Sequence, residues 1–94
     1  MLSLFDAFNT IKSEQEFDNF LNDLCTPQEL KDFKDRWLIA QYLFNGNTQR
    51  EISKEVKCSI TTVTRVSRFL DKERYGGYKG VLEKLRGNEK GDKE

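Results

Sequence analysis

The chain has 94 residues, 36% hydrophobic and 34% charged, with 16 basic side chains balancing 16 acidic ones. A chain of that length holds one domain whose core is near the marginal size, so dimerisation offers a second source of buried area. There is no histidine and only two cysteines, Cys25 and Cys58; His-based acid–base chemistry, most catalytic zinc sites and a four-thiolate metal centre are thereby excluded.

The elements read as helices with clear starts. Leu4, Phe5, Phe8 and Ile11 share a helical face, which predicts a first helix from about Leu2 to Lys12. Ser13-Glu14-Gln15-Glu16 is a capping box, and Phe17, Phe20, Leu21 and Leu24 follow at i, i+3, i+4, i+7. Thr26-Pro27-Gln28-Glu29 is a second box, with proline at the first helical position, where its missing N–H costs nothing. The helix that follows is expected to bury Leu30, Phe33, Trp37, Ala40 and Phe44, flanked by Leu38 and Leu43. Such a wide apolar arc suits an element with two neighbours. Asn45-Gly46-Asn47 should end it with Gly46 left-handed, and Thr48-Gln49-Arg50-Glu51 is a third box. A last helix is expected over Tyr78 to Leu85, with Gly76-Gly77 as the hinge before it and residues 87–94 as a disordered polar tail. No strand pattern is visible, so the fold class is all-α.

Between these elements, QREISKEVKCSITTVTRVSRFL stands out. Ile52 and Val56 form the inner face of a short helix, and Val63 and Val66 that of a second. The small Ser53 sits where the two must approach. This is helix-turn-helix spacing, over about residues 48–70. Ser59 is placed to cap the second helix. Its outer face carries Ile60, Thr61, Thr62, Thr64, Arg65 and Arg68. Threonine is a modest helix former, so three on one face have no stability rationale, whereas its hydroxyl and methyl suit base edges and thymine methyls. Arg50, Lys54 and Lys57 border the same surface as candidate phosphate contacts. Charge agrees: residues 1–35 hold three basic and eight acidic side chains, while residues 50–74 hold seven basic and four acidic. A local positive excess in a neutral chain suits a polyanion. One position departs from the usual pattern. The start of the turn, where glycine is common, is Lys57, and a left-handed lysine costs on the order of 1 kcal/mol.

The runs TPQEL, DRWLIAQYLFNGNTQREIS and ITTVTR, spread over Thr26 to Leu70, resemble the Trp repressor superfamily. The divergence points to a Trp-repressor-like paralogue and not to the tryptophan-sensing repressor. The resemblance implies an all-α intertwined homodimer with six helices per chain, the acidic N-terminal third lying in the dimer body. It also implies an effector pocket whose two arginines match Arg36 and Arg65 and whose threonine matches Thr26. The family's glycine position is Val66 and its serine position is Phe69. Valine brings a branched side chain where the indole must fit, and phenylalanine removes a hydrogen-bond donor, at a cost of roughly 1–3 kcal/mol for the group left unpaired. The pocket is expected to be filled or lost, and tryptophan binding is not expected.

These readings converge on a homodimeric helix-turn-helix regulator that binds double-stranded DNA. The alternative is a helical dimeric protein-interaction module with a degenerate helix-turn-helix, although that would expose apolar anchors in place of threonines. No carboxylate pair or other constellation suggests an enzyme, and no cofactor or metal is expected. The apolar runs are too short to cross a membrane, the start lacks a signal-peptide pattern, and reduced thiols suit the cytoplasm.

Overall fold

The computed structural model describes residues 1–72 and 75–93, the last six of these by backbone alone. Six helices follow in order: α1 (Leu4–Asn9), α2 (Glu14–Leu24), α3 (Pro27–Phe44), α4 (Gln49–Val56), α5 (Ile60–Asp71) and α6 (Gly77–Lys93). Among the described residues there is no strand. No helix among them is long and apolar enough to cross a membrane.

The helix starts follow local chemistry. At α2 the Ser13 hydroxyl accepts from the Glu16 N–H at 3.1 Å, while Glu16 reaches past the cap to accept from the Lys12 N–H at 2.9 Å. At α3 Thr26 and Glu29 exchange both bonds of the expected box, at 3.1 and 2.8 Å. Thr48 and Glu51 do the same at α4. α1 is shorter than its apolar spacing suggested. It begins after Ser3, which forms a capping box with Asp6, and closes at Thr10, whose N–H bonds to Ala7 and Phe8. The Ser3–Asp6 pair is the start signal, and it overrides Leu2.

α3 ends in a Schellman closure. The Gly46 N–H donates to the Leu43 carbonyl and the Asn47 N–H to the Tyr42 carbonyl, and Gly46 has φ +95°. α6 starts after Gly76, at φ +67°, and its backbone is helical to Lys93, beyond the expected end at Leu85. Most of the segment read as a polar tail falls on residues 88–94, whose side chains lie outside the described ones.

The chain divides into two compact units, Met1–Phe33 and Lys34–Glu94, with the boundary inside α3. In the first, Leu21 and Leu30 are the buried hydrophobic side chains, and the Phe8 and Phe20 rings meet edge to face at 5.6 Å. In the second, Ile39 and Ala40 of α3, Ile52 of α4, Val63, Val66 and Leu70 of α5, and Leu82 of α6 make one core. Trp37, Tyr42, Leu43, Phe44, Val56 and Tyr78 pack against it. The burial pattern of α3 differs from the sequence reading. Ile39 is fully buried, whereas Phe33 and Leu38 are exposed. An apolar arc this wide does not say which of its sides meets the other helices of the same unit; the Ile39–Ala40 side does.

Candidate nucleic-acid interface

α4 packs on α5, and α5 on α6. Ile52 and Val63 are 0% exposed and Val66 is 1% exposed, so the inner positions of the helix-turn-helix close on each other as their spacing required. The turn between them carries the strain its sequence implied. Lys57 has φ 57° and ψ 49°, the one non-glycine residue with positive φ among those described. Two features hold it there. The Lys57 and Cys58 N–H groups both turn back to the Ser53 carbonyl, and the Ser53 hydroxyl donates to the Cys58 carbonyl at 2.7 Å. Ser53 therefore serves the turn through its hydroxyl as well as its small size.

α5 begins at the cap predicted for it, with Ser59 Oγ accepting from the Thr62 N–H at 3.2 Å. Its outer face is solvent-facing: Ile60, Thr61, Thr64, Arg65 and Arg68 are exposed and line one shallow depression of about 340 Å³. Ser59, Arg50, Lys54 and Lys57 are exposed as well. Thr62 differs from its neighbours. It is half-buried, and its hydroxyl lies 3.0 Å from Ser59 Oγ, within the cap. Thr64 Oγ1 is 2.9 Å from both the Ile60 carbonyl and Gln49 Oε1. Of the three threonines, only Thr61 has a hydroxyl without a protein partner among the described residues. Thr62 is set apart by its local cap partner Ser59, whereas the Thr64 contact with Gln49 depends on how α4 packs and could not be read from the sequence.

The residues matched to an effector pocket divide between the units. Arg36, Arg65, Val66 and Phe69 line one recess together with Tyr78, of about 170 Å³. Small-molecule sites more usually hold roughly 300–1,000 Å³. Val66 is committed to the core, and the Phe69 ring lies against the Arg65 guanidinium at 5.2 Å, a cation–π contact one helical turn along α5. Thr26 belongs to the other unit and is engaged as the α3 cap. Beyond Phe69 and Tyr78 lies a larger apolar cavity of about 500 Å³, lined also by Trp37, Tyr75, Gly76, Gly77 and Val81. None of the described residues that line it is charged. Sequence reasoning gave neither this cavity nor the role of Tyr78 in both recesses.

Two carboxyls at helix starts are held by their caps. The backbone N–H of Thr26, and then its hydroxyl, hold the Glu29 carboxyl below its ordinary range, and Thr48 does the same for Glu51. Among the described residues no three His, Cys, Asp or Glu side chains gather as a metal site would require.

The comparisons with known proteins agree with this arrangement. The family model for the Trp repressor protein matches residues 1–86. The uncharacterised protein YerC of Bacillus subtilis is 33% identical over 88 residues, spanning 92% of this chain and 82% of YerC. Among solved structures, that of a proposed Trp repressor from Staphylococcus aureus superposes with a TM-score of 0.81 at 31% identity, covering 88% of this chain and 82% of the other. A TrpR-like protein from Eubacterium eligens gives a TM-score of 0.79 at 32% identity, covering 87% and 84%. With a helix-turn-helix in its C-terminal unit and a family match over nearly its whole length, the chain belongs to the Trp repressor family.

Proposed function

We propose that this protein is a homodimeric, sequence-specific DNA-binding regulator of transcription that works without tryptophan. The observation that carries the reading is the α4–α5 unit: a closed apolar inner seam, with an outer face on which Thr61, Thr64, Arg65 and Arg68 surround one depression. The N-terminal part of such a second helix enters the major groove. Arg50, Lys54 and Lys57 would grip phosphates on its flank, with Ser59, Ile60 and Thr62 at the helix entry.

Dimerisation is supported by what a single chain leaves uncovered. Leu4, Phe5, Phe17, Leu24 and Phe33 of the first unit are exposed, as are Tyr75, Val81 and Leu85 of the second. Apolar surface on this scale marks an interface. A two-fold dimer would also present two reading helices to two half-sites about one helical turn apart.

Independence from tryptophan follows from the Arg36–Arg65 recess. Phe69 already supplies the ring on Arg65, and the space left is small. A ligand shifts an equilibrium only through its differential affinity for two states, and a site occupied by the protein's own side chain leaves little of it.

Selection of bound sequences from random duplex DNA with the purified protein tests the reading directly. An enriched site with two-fold symmetry is expected, bound equally with and without L-tryptophan. Replacing Lys54 by alanine should weaken binding to all sequences alike and reduce the salt slope by about one unit. No enrichment over the starting pool would refute DNA reading, and tryptophan-dependent enrichment would refute the effector reading.

A further inference from the structure

One polar contact joins the two helices on the side away from the core. Gln49 is the first residue of α4, and Thr64 lies in the middle of α5, 15 positions later. Among the described residues, theirs is the only hydrogen bond between side chains of these helices. The packing of Ile52 on α5 is apolar and non-directional, so it sets the spacing of the helices without fixing the rotamers of the outer face. A threonine in a helix divides between two rotamers, one of which turns its hydroxyl to the carbonyl four residues back. In that rotamer the Ile60 carbonyl and Gln49 Oε1 each lie 2.9 Å from Thr64 Oγ1 and share its one proton as alternative acceptors, so Gln49 adds a second reason, from the neighbouring helix, for the hydroxyl to stay turned inward.

We infer that Gln49 is a positioning residue for base recognition: by engaging the Thr64 hydroxyl it locks that side chain so that the group offered to DNA is its methyl, which selects thymine. The inference rests on the DNA-reading proposal and deepens it. Of the two groups that the sequence reading offered for base recognition, hydroxyl and methyl, it assigns Thr64 the methyl. That hydroxyl is occupied within the protein, and Thr64 is exposed and lines the depression with Ile60, Thr61, Arg65 and Arg68, so its methyl is the group left unengaged there. A methyl contact is apolar and suits the C5-methyl of thymine.

The test replaces thymine by deoxyuridine, one position at a time, in the selected site. The two bases differ only by the methyl group. For the unaltered protein, one substitution in each half-site should weaken binding about four-fold, the worth of one buried methyl-sized group. Gln49→Ala leaves only the Ile60 carbonyl to hold the rotamer, so it should reduce that discrimination while leaving the salt slope unchanged. Thr64→Val retains a methyl in either rotamer, so T64V should keep the thymine preference. Adding Gln49→Ala in the T64V background should then have no effect. Thermal unfolding of each variant checks that the head is folded. If Gln49→Ala instead weakens all sites alike, lowers the salt slope and leaves the thymine preference intact, Gln49 touches phosphate and the inference fails. A loss of preference on adding Gln49→Ala to T64V would likewise overturn it, since Gln49 would then act elsewhere. Failure of the unaltered protein to select any DNA refutes the underlying reading first, and is seen before a variant is made.

Discussion

The two units of this chain use the same local grammar and reach different results. Residues 34–94 build a core from four helices, and its central side chains, Ile39, Ile52 and Val63, are fully shielded. Residues 1–33 have helices as well capped as any in the molecule, yet they bury only Leu21 and Leu30 among their hydrophobic side chains, and Phe5 is 72% exposed. Caps make helices but contribute only about 0.5–2 kcal/mol each. Burial holds helices together, and the first unit lacks it within one chain. The difference separates a part with a shielded core of its own from a part that leaves most of its apolar side chains exposed, which on the proposed reading a second copy would cover.

The largest expected effect tests the complete half. Ile52→Ala empties a fully shielded position and should cost about 2–5 kcal/mol in denaturant unfolding. Phe5→Ala is the sharper probe of the contrast. If Phe5 were as exposed in solution as in a single chain, the change would fall within about 0.5 kcal/mol. A second copy covering Phe5 raises the expected loss to about 3 kcal/mol and makes unfolding depend on protein concentration. Sedimentation at low micromolar concentration should show a dimer, and a folded 11.0 kDa monomer would erase the distinction between the halves.

The turn of the reading head offers an effect of opposite sign. Lys57→Gly relieves a left-handed lysine and should stabilise the protein by about 1 kcal/mol. The same change should lower the salt slope of DNA binding by about one unit if Lys57 meets a phosphate. Stability gained without any change in DNA binding would remove Lys57 from the interface. The smallest effect lies in acid. Glu29 and Glu51, one in each unit, have carboxyls held below their ordinary range. Their contribution is present above the unfolded-chain value near about 4.3 and is lost as pH falls through the lower folded values. Glu51→Gln keeps an acceptor for the Thr48 N–H but not the titration, so the acid limb of its stability profile should be flatter.

What the sequence revealed follows the range of the interactions. The Thr26 and Thr48 boxes, the Gly46 closure and the Ser59 cap each involve residues a few positions apart, and each was legible. So was the strain at Lys57, because a turn of fixed length between two inner faces leaves little choice of backbone. The Ser3–Asp6 box is equally local, but the apolar spacing of Leu4, Phe5, Phe8 and Ile11 points to a longer helix and masks it. Ile39 was missed for a different reason. Around it nearly every position of α3 is apolar, and periodicity ranks sides only when polar residues mark one of them. The contact of Thr64 with Gln49 was illegible because it depends on which neighbouring helix arrives, and at what angle, whereas the Thr62 partner, Ser59, lies three residues away.

The Phe69 ring on Arg65 also bears on how such a regulator is controlled. A repressor with an open effector site reports the level of a metabolite, and its own abundance can stay constant. On the proposed reading, a head whose tryptophan position is filled by its own side chain would lack that input, and the amount of protein would become the signal. For a dimer at concentrations well below its dissociation constant, the active species would grow roughly with the square of the chain concentration. Gene occupancy would then respond to synthesis and degradation more steeply than in proportion, giving a threshold set by dosage.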